Sequence, residues 1–222
     1  MTTTLHNTRI WDLPTRLFHV SLILCVAGLY LSAELMEDSL QLHFYFGYAT
    51  LTLLIFRVLW GFVGGHWSRF ASFVPTPHQL LQFLRNPNQH AVGHNPLGAL
   101  SVLAMLTVLL AQVFSGFFSY DDVAFSGPWH NLVSDECGEW FTHYHAEIGK
   151  SILLVLLALH VGSIVFYKRF KQQDLVSPMI HGDKTLPANT VASTDTTGTR
   201  LLALALLAAS AGLTYWLVSL GG

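Results

Sequence analysis

Charge is scarce in this sequence. Only 11% of its 222 residues are Asp, Glu, Lys or Arg, whereas a soluble domain carries about 25%. The charges present gather at the ends of long uncharged stretches, which excludes an ordinary soluble fold. Cysteine is scarcer still. Cys25 and Cys137 form neither CxxC nor CxxCH, which sets aside zinc ribbons and covalently attached c-type haem. No HExxH motif is present, so the three close ligands of a catalytic zinc are missing. The net charge of −2 gives no electrostatic footprint for nucleic acid. The sequence contains no internal repeat.

Apolar residues are plentiful, at 52%, and they are arranged in runs. A helix crossing a bilayer needs about 20 of them. Five segments qualify: Thr15–Ala33, Leu42–Val63, Leu97–Phe118, His145–Tyr167 and Leu201–Leu220. The first is read as a span and not as a cleaved signal, because it contains His19 and no small-residue cleavage site precedes Glu34. With the N-terminus inside, Lys150 alone of the 11 Lys and Arg residues falls towards the outer side. The opposite loops hold Glu34, Glu37, Asp38, Asp121, Asp122, Asp135, Glu136 and Glu139. The positive-inside rule therefore places the N-terminus in the cytoplasm and the C-terminus outside. Residues 64–96 form a cytoplasmic loop in which Pro77–Arg85 is expected to make a short interfacial helix. Residues 182–199, polar and rich in threonine, are expected to be flexible.

Twelve histidines in so apolar a chain carry the functional reading. His6, His66, His78, His90, His130 and His181 lie in loops or tails and are read as solvated bystanders. His94, just before the third span in GHNPLG, is read as an interfacial or capping residue with a cofactor role as the alternative, and His143, outside the fourth helix or at its first turn, is read in the same way. His19, His43, His145 and His160 remain, and an ionisable residue inside a span is a functional candidate by default. Any one of them is as readily a histidine hydrogen-bonded to a neighbouring helix; the four together favour another reading. His145 and His160 are 15 residues apart. On a helix that leaves them about 60° apart in azimuth and about 22 Å apart in depth. His43 opens the second span at the outer level of His145, and His19 lies near the start of the first, at the inner level of His160. Two pairs at two depths result, and imidazoles facing across a bundle core are the axial ligands of a low-spin haem. Gly47 and Gly149 follow His43 and His145 by four residues, on the same helix face. They are expected to leave flat gaps for a porphyrin, although small-residue helix packing also explains them. Arg16 and Arg57 sit at cytoplasmic ends of spans, where a haem propionate needs a cation; snorkelling to lipid headgroups is the alternative.

The stretches RIWDLPTRLFHV (9–20), HFYFGY with LLIFRVLWGFVGGHWSRF (43–70), GHNPLGALSVLAML (93–106), and LLALHVGSIVFYKRF with DLVSPMIHGDK (156–184) resemble the prokaryotic cytochrome b561 family, which includes the b-type cytochrome subunits of nickel–iron hydrogenases. The resemblance implies an all-α, four-helix membrane bundle over 9–184 holding non-covalent b haems. On this sequence their ligands fall on His19, His43, His145 and His160. A flexible linker at 185–200 and a fifth span at 201–220 complete the expected organisation. The fifth span lacks histidine and is expected to pack against a partner subunit. The expected function is transmembrane electron transfer on two bis-histidine haems. Electrons would be exchanged with a cytochrome c-like or hydrogenase-like protein, with quinone, or with both. A free-standing membrane oxidoreductase acting on quinone or superoxide is the alternative.

Overall fold

In a computed structural model, residues 4–34, 40–87, 91–120 and 125–221 are described. Glu37, Asp38, His90, Asp121 and Asp122 lie outside the described residues. The long apolar runs form helices because within a bilayer only a helix satisfies every backbone group from its own segment. Among the described residues, five helical stretches are long and apolar enough to cross a membrane. These are α1 (Leu13–Glu34), α2 (Leu40–Val63), α5 (Pro96–Phe118), the stretch Asp135–Phe170, and α9 (Thr197–Ser219). Shorter helices are α3 (Phe70–Phe73), α4 (Pro77–Arg85) and α8 (Val176–His181). The fourth long stretch comprises α6 (Asp135–His143), a π turn (Tyr144–Gly149) and α7 (Lys150–Phe170). It starts ten residues before the expected His145 because Ser134 caps Cys137 N at 3.4 Å and two acids, Asp135 and Glu136, follow in the first turn. The helix expected at Pro77–Arg85 is present, closed by a capping box between Thr76 and Gln79. Much of the apolar surface faces outward, as in Leu159, Phe170 and Leu204, the distribution of a multi-pass membrane protein.

The chain divides into two compact units. The first comprises residues 1–19, 57–104 and 159–206; the second comprises 20–56, 105–158 and 207–222. In the first, the hub is Asp12, fully buried. As N-cap of α1 it accepts from Thr15 N at 2.8 Å, and also from Trp60 Nε1 at 3.1 Å, Gly65 N at 3.2 Å and Ser68 Oγ at 2.6 Å. The two most distinctive stretches of sequence, IWDLPTR and FRVLWGFVGGHWS, are thus joined by one carboxylate.

Two strands that the sequence reading missed lie in the same unit: β1 (Leu5–Arg9) pairs antiparallel with β2 (Asp183–Pro187), Arg9 opposite Asp183. The turn into β2 is made by Gly182 at φ +91°, where a side chain would strike Arg9 and the Trp11 carbonyl. The residues expected to be a flexible linker carry hydrogen-bonded structure instead. Ser193 donates to the Ile10 carbonyl at 2.6 Å, Trp67 Nε1 donates to the Val191 carbonyl at 2.8 Å, and Asp195 accepts from Leu13 N at 3.2 Å and pairs with Arg200 at 2.9 Å.

In the second unit, Leu54 and Thr50 are fully buried. The C-terminal part of α9 makes hydrogen bonds within the chain. Thr52 Oγ1 donates to Thr214 at 3.0 Å and Trp129 Nε1 to the Leu217 carbonyl at 2.9 Å.

Candidate cofactor site

In the second unit, the first turn of α2 and the π turn bring His43 and His145 together, ring centroids 5.9 Å apart and planes at 81°. Both imidazoles are held from behind. His43 Nδ1 lies 3.1 Å from the Leu29 carbonyl, and His145 Nδ1 lies 2.8 Å from the Gln112 carbonyl and 3.2 Å from Ser115 Oγ. A carbonyl only accepts, so this network assigns the hydrogen of each ring to Nδ1 and leaves Nε2 with a free lone pair. The π turn departs from the regular helix pattern at His145, a feature frequent at functional sites. There the Gln112 amide donates to the His145 carbonyl at 2.7 Å.

Glycines shape the surroundings. A Cβ on Gly116 would sit 2.9 Å from His145 Cε1, so this position must be small for the imidazole to occupy its place. A Cβ on Gly47 would meet nothing within 4 Å, which is the open gap expected beside His43. Gly149 differs from expectation: its gap is filled by the Gln112 amide oxygen and the Tyr144 ring.

In the first unit, His19 on α1 and His160 on α7 stand 6.4 Å apart, planes at 57°. Arg57 is 4% exposed, an unusual state for a guanidinium. Its Cζ lies 5.2 Å from the Phe70 ring and 5.8 Å from that of Phe73, while Nη1 is shielded from solvent without a hydrogen-bond partner. Arg16 donates through Nη1 to the Ile180 carbonyl at 2.6 Å, and its Nε is likewise shielded and without a partner. His94 was expected to be interfacial or capping, yet the cap of α5 is Asn95, whose Oδ1 accepts from Gly98 N at 2.8 Å. His94 packs between Trp11, at 4.7 Å, and Phe73, at 5.0 Å. Burial, then the charges of Arg57, His160 and His19, hold its pKa down at about 4, so the ring is neutral near pH 7. His6, His78, His143 and His181 are exposed, and His66 and His130 are half-buried.

One iron between two imidazole nitrogens, with metal–nitrogen bonds of about 2 Å, sets ring centroids about 6 Å apart. Both pairs have that separation. The unpartnered guanidinium nitrogens of the first unit suit the carboxylates of a propionate-bearing ring. The residues present therefore fit haem held without a covalent link.

Apolar membrane-length helices with facing imidazoles suit a membrane cytochrome of the helical-bundle class. The chain belongs to the prokaryotic cytochrome b561 family, whose model matches residues 10–182. Its similar relatives include a probable Ni/Fe-hydrogenase B-type cytochrome subunit of Bradyrhizobium diazoefficiens, 26% identical over 159 residues and 64% of each chain. Proteins of the same description from Azotobacter chroococcum and Azotobacter vinelandii are 25% and 26% identical over 78% of this chain and 86% of theirs. The aligned part thus spans under two thirds of the Bradyrhizobium protein. No solved structure matches.

Three residues of these surroundings have no place in the sequence reading: Gln112, Ser115 and Gly116. Gln112 had a visible signal, as an amide in the middle of an otherwise apolar span.

Proposed function

We propose that the protein carries electrons across the bacterial inner membrane on two b haems, one ligated by His43 and His145 and the other by His19 and His160. The observation that carries this reading is the pair of imidazole separations, 5.9 and 6.4 Å. Haem b, when bound, supplies a one-electron ferric–ferrous couple. The chain's own residues do the rest. The carbonyls of Leu29 and Gln112 fix the tautomers of His43 and His145, so that Nε2 is presented for ligation. Gly47 leaves space beside His43. Arg57 and Arg16 offer cationic donors at the His19–His160 pair, as candidates for propionate binding. The apolar helices supply the low-dielectric wall.

By the distribution of lysine and arginine, the N-terminus is cytoplasmic, the His43–His145 pair lies on the outer side and the His19–His160 pair on the inner side. The printed names of the relatives favour a hydrogenase-like redox partner; a cytochrome c-like protein and the membrane quinone pool are the other candidate electron partners. The test is haem stoichiometry in the purified protein. The expected result is two acid-acetone-extractable haems per chain, with the sharp reduced bands of six-coordinate low-spin b haem. A ratio near one would reduce one histidine pair to a structural role.

A further inference from the structure

Among the described residues of the first unit, three buried polar nitrogens have no hydrogen-bond partner: Arg16 Nε, Arg57 Nη1 and His94 Nδ1. A buried donor or acceptor left unpaired is costly, and three such nitrogens in one unit point to a ligand that satisfies them. Arg16 is partly engaged by the Ile180 carbonyl. Arg57 and His94 are coupled: both lie against the ring of Phe73, at 5.8 and 5.0 Å, and the Arg57 charge acts on the His94 ring. His94 is not used to cap its helix, and Trp11 and Phe73 hold the imidazole in place. A permanent cation and an imidazole, both lying against the Phe73 ring and each with an unpartnered nitrogen, form a recognition pair for one carboxylate when the imidazole carries its hydrogen on Nδ1. The Asp12 carboxylate acts on the Arg57 charge, but its oxygens accept from Thr15, Trp60, Gly65 and Ser68, so Arg57 Nη1 still lacks an acceptor.

We propose that His94 is a binding residue for a carboxylate shared with Arg57, and that this carboxylate is a propionate of the haem held by His19 and His160. The proposal rests on the two-haem reading. Its consequence is that His94, outside the spans and not a ligand, tunes one haem and leaves the other unchanged. Without its donated hydrogen bond, the propionate charge is less well compensated. The ferric state then gains relative to the ferrous, and the midpoint of that haem falls.

The experiment uses the holoprotein. Wild type, His94→Phe and His94→Gln are compared by haem content, by potentiometric titration and by the propionate-bending bands of the resonance Raman spectrum. The two-haem reading is checked first, on the wild type: fewer than two low-spin haems overturns that reading independently of His94. Given two haems, His94→Phe is expected to retain both. It should lower the midpoint of the component that is lost in His19→Ala, shift the propionate bands, and leave the other component unchanged. His94→Gln, which still donates, should restore both readouts most of the way. Unchanged propionate bands and midpoints in His94→Phe overturn the proposal. A midpoint that moves only with added phosphate or anionic lipid, with propionate bands unmoved, also overturns it, because the anion is then not the haem's. Should the Phe variant fail to accumulate, His94→Leu poses the same question with a smaller side chain.

Discussion

Asp12 offers the sharpest test of how the first unit is held together. Its carboxylate is fully buried and accepts four hydrogen bonds, from Thr15 N, Trp60 Nε1, Gly65 N and Ser68 Oγ. A hydrogen bond to a charged group contributes about 1.5–3 kcal/mol. Simple addition overstates the loss, since Ser68 can turn to Thr15 Oγ1, 2.7 Å away, and water can enter the space. Asp12→Ala is therefore expected to lower stability by about 3–5 kcal/mol, the range for breaking a buried charged network. Asp12→Asn, which keeps the shape but sets an amide N–H₂ against two donors, is expected to cost roughly 1–3 kcal/mol. A control is available in Asp174, which also receives three hydrogen bonds, from Val176 N, Ser177 N and Ser177 Oγ, but is exposed. Water replaces those bonds, and Asp174→Ala should cost no more than about 1 kcal/mol. The assay is denaturant or thermal unfolding in detergent, with haem absorbance and tryptophan fluorescence as probes. Because Asp12 starts the helix carrying His19 and grips Trp60, three residues after Arg57, haem loss from the His19–His160 pair should accompany unfolding. An Asp12→Ala protein as stable as the Asp174→Ala control would refute the reasoning.

Three further outcomes are expected. Burial pushes the Asp195 carboxyl up, but the hydrogen bond and charge of Arg200, with Leu13 N and Arg9, outweigh it and hold the pKa below the usual carboxylate value. The stabilisation is then present above about pH 4 and is lost as pH falls through the folded value; the protection of β1 and β2 amides, relative to the intrinsic exchange rate at each pH, should fall on acidification in wild type and stay constant in Asp195→Asn. Gly47→Leu enters open space in the protein itself and should leave unfolding within about 1 kcal/mol of wild type, yet lower haem content at the His43–His145 pair; equal haem content would show that no porphyrin lies there. Reporter fusions after Lys184 and after Gly222 should report opposite sides of the membrane; the same side for both would mean that α9 does not cross.

The parts of the fold legible in the sequence are those that depend on local spacing. Apolar runs of bilayer length gave the five helices, and the 15-residue interval between His145 and His160 set two levels to which His43 and His19 were matched. The capping box at Thr76 was equally local, and the helix it opens was anticipated to the residue. What escaped depends on contacts distant in sequence. β1 and β2 are five residues each and more than 170 residues apart, so no periodicity betrays their pairing. Residues 185–200 looked flexible because they are polar, and are held because Ser193 and Asp195 find partners beside β1 and α1. The helix from Asp135 to His143 is too polar to register as part of an apolar run, and the π turn at Tyr144–Gly149 has no sequence signature. Gly149 looked like a cofactor gap: its spacing to His145 was visible, but Gln112 reaching in from α5 was not.

The account's central claim is the assignment of ligands in pairs, and the most direct measurement is redox titration of the four single alanine variants at His19, His43, His145 and His160. His43→Ala and His145→Ala should each remove the same potentiometric component, and His19→Ala and His160→Ala should each remove the other. Loss of one and the same component in His43→Ala and His19→Ala would contradict the pairing and, with it, the placement of two haems on this chain.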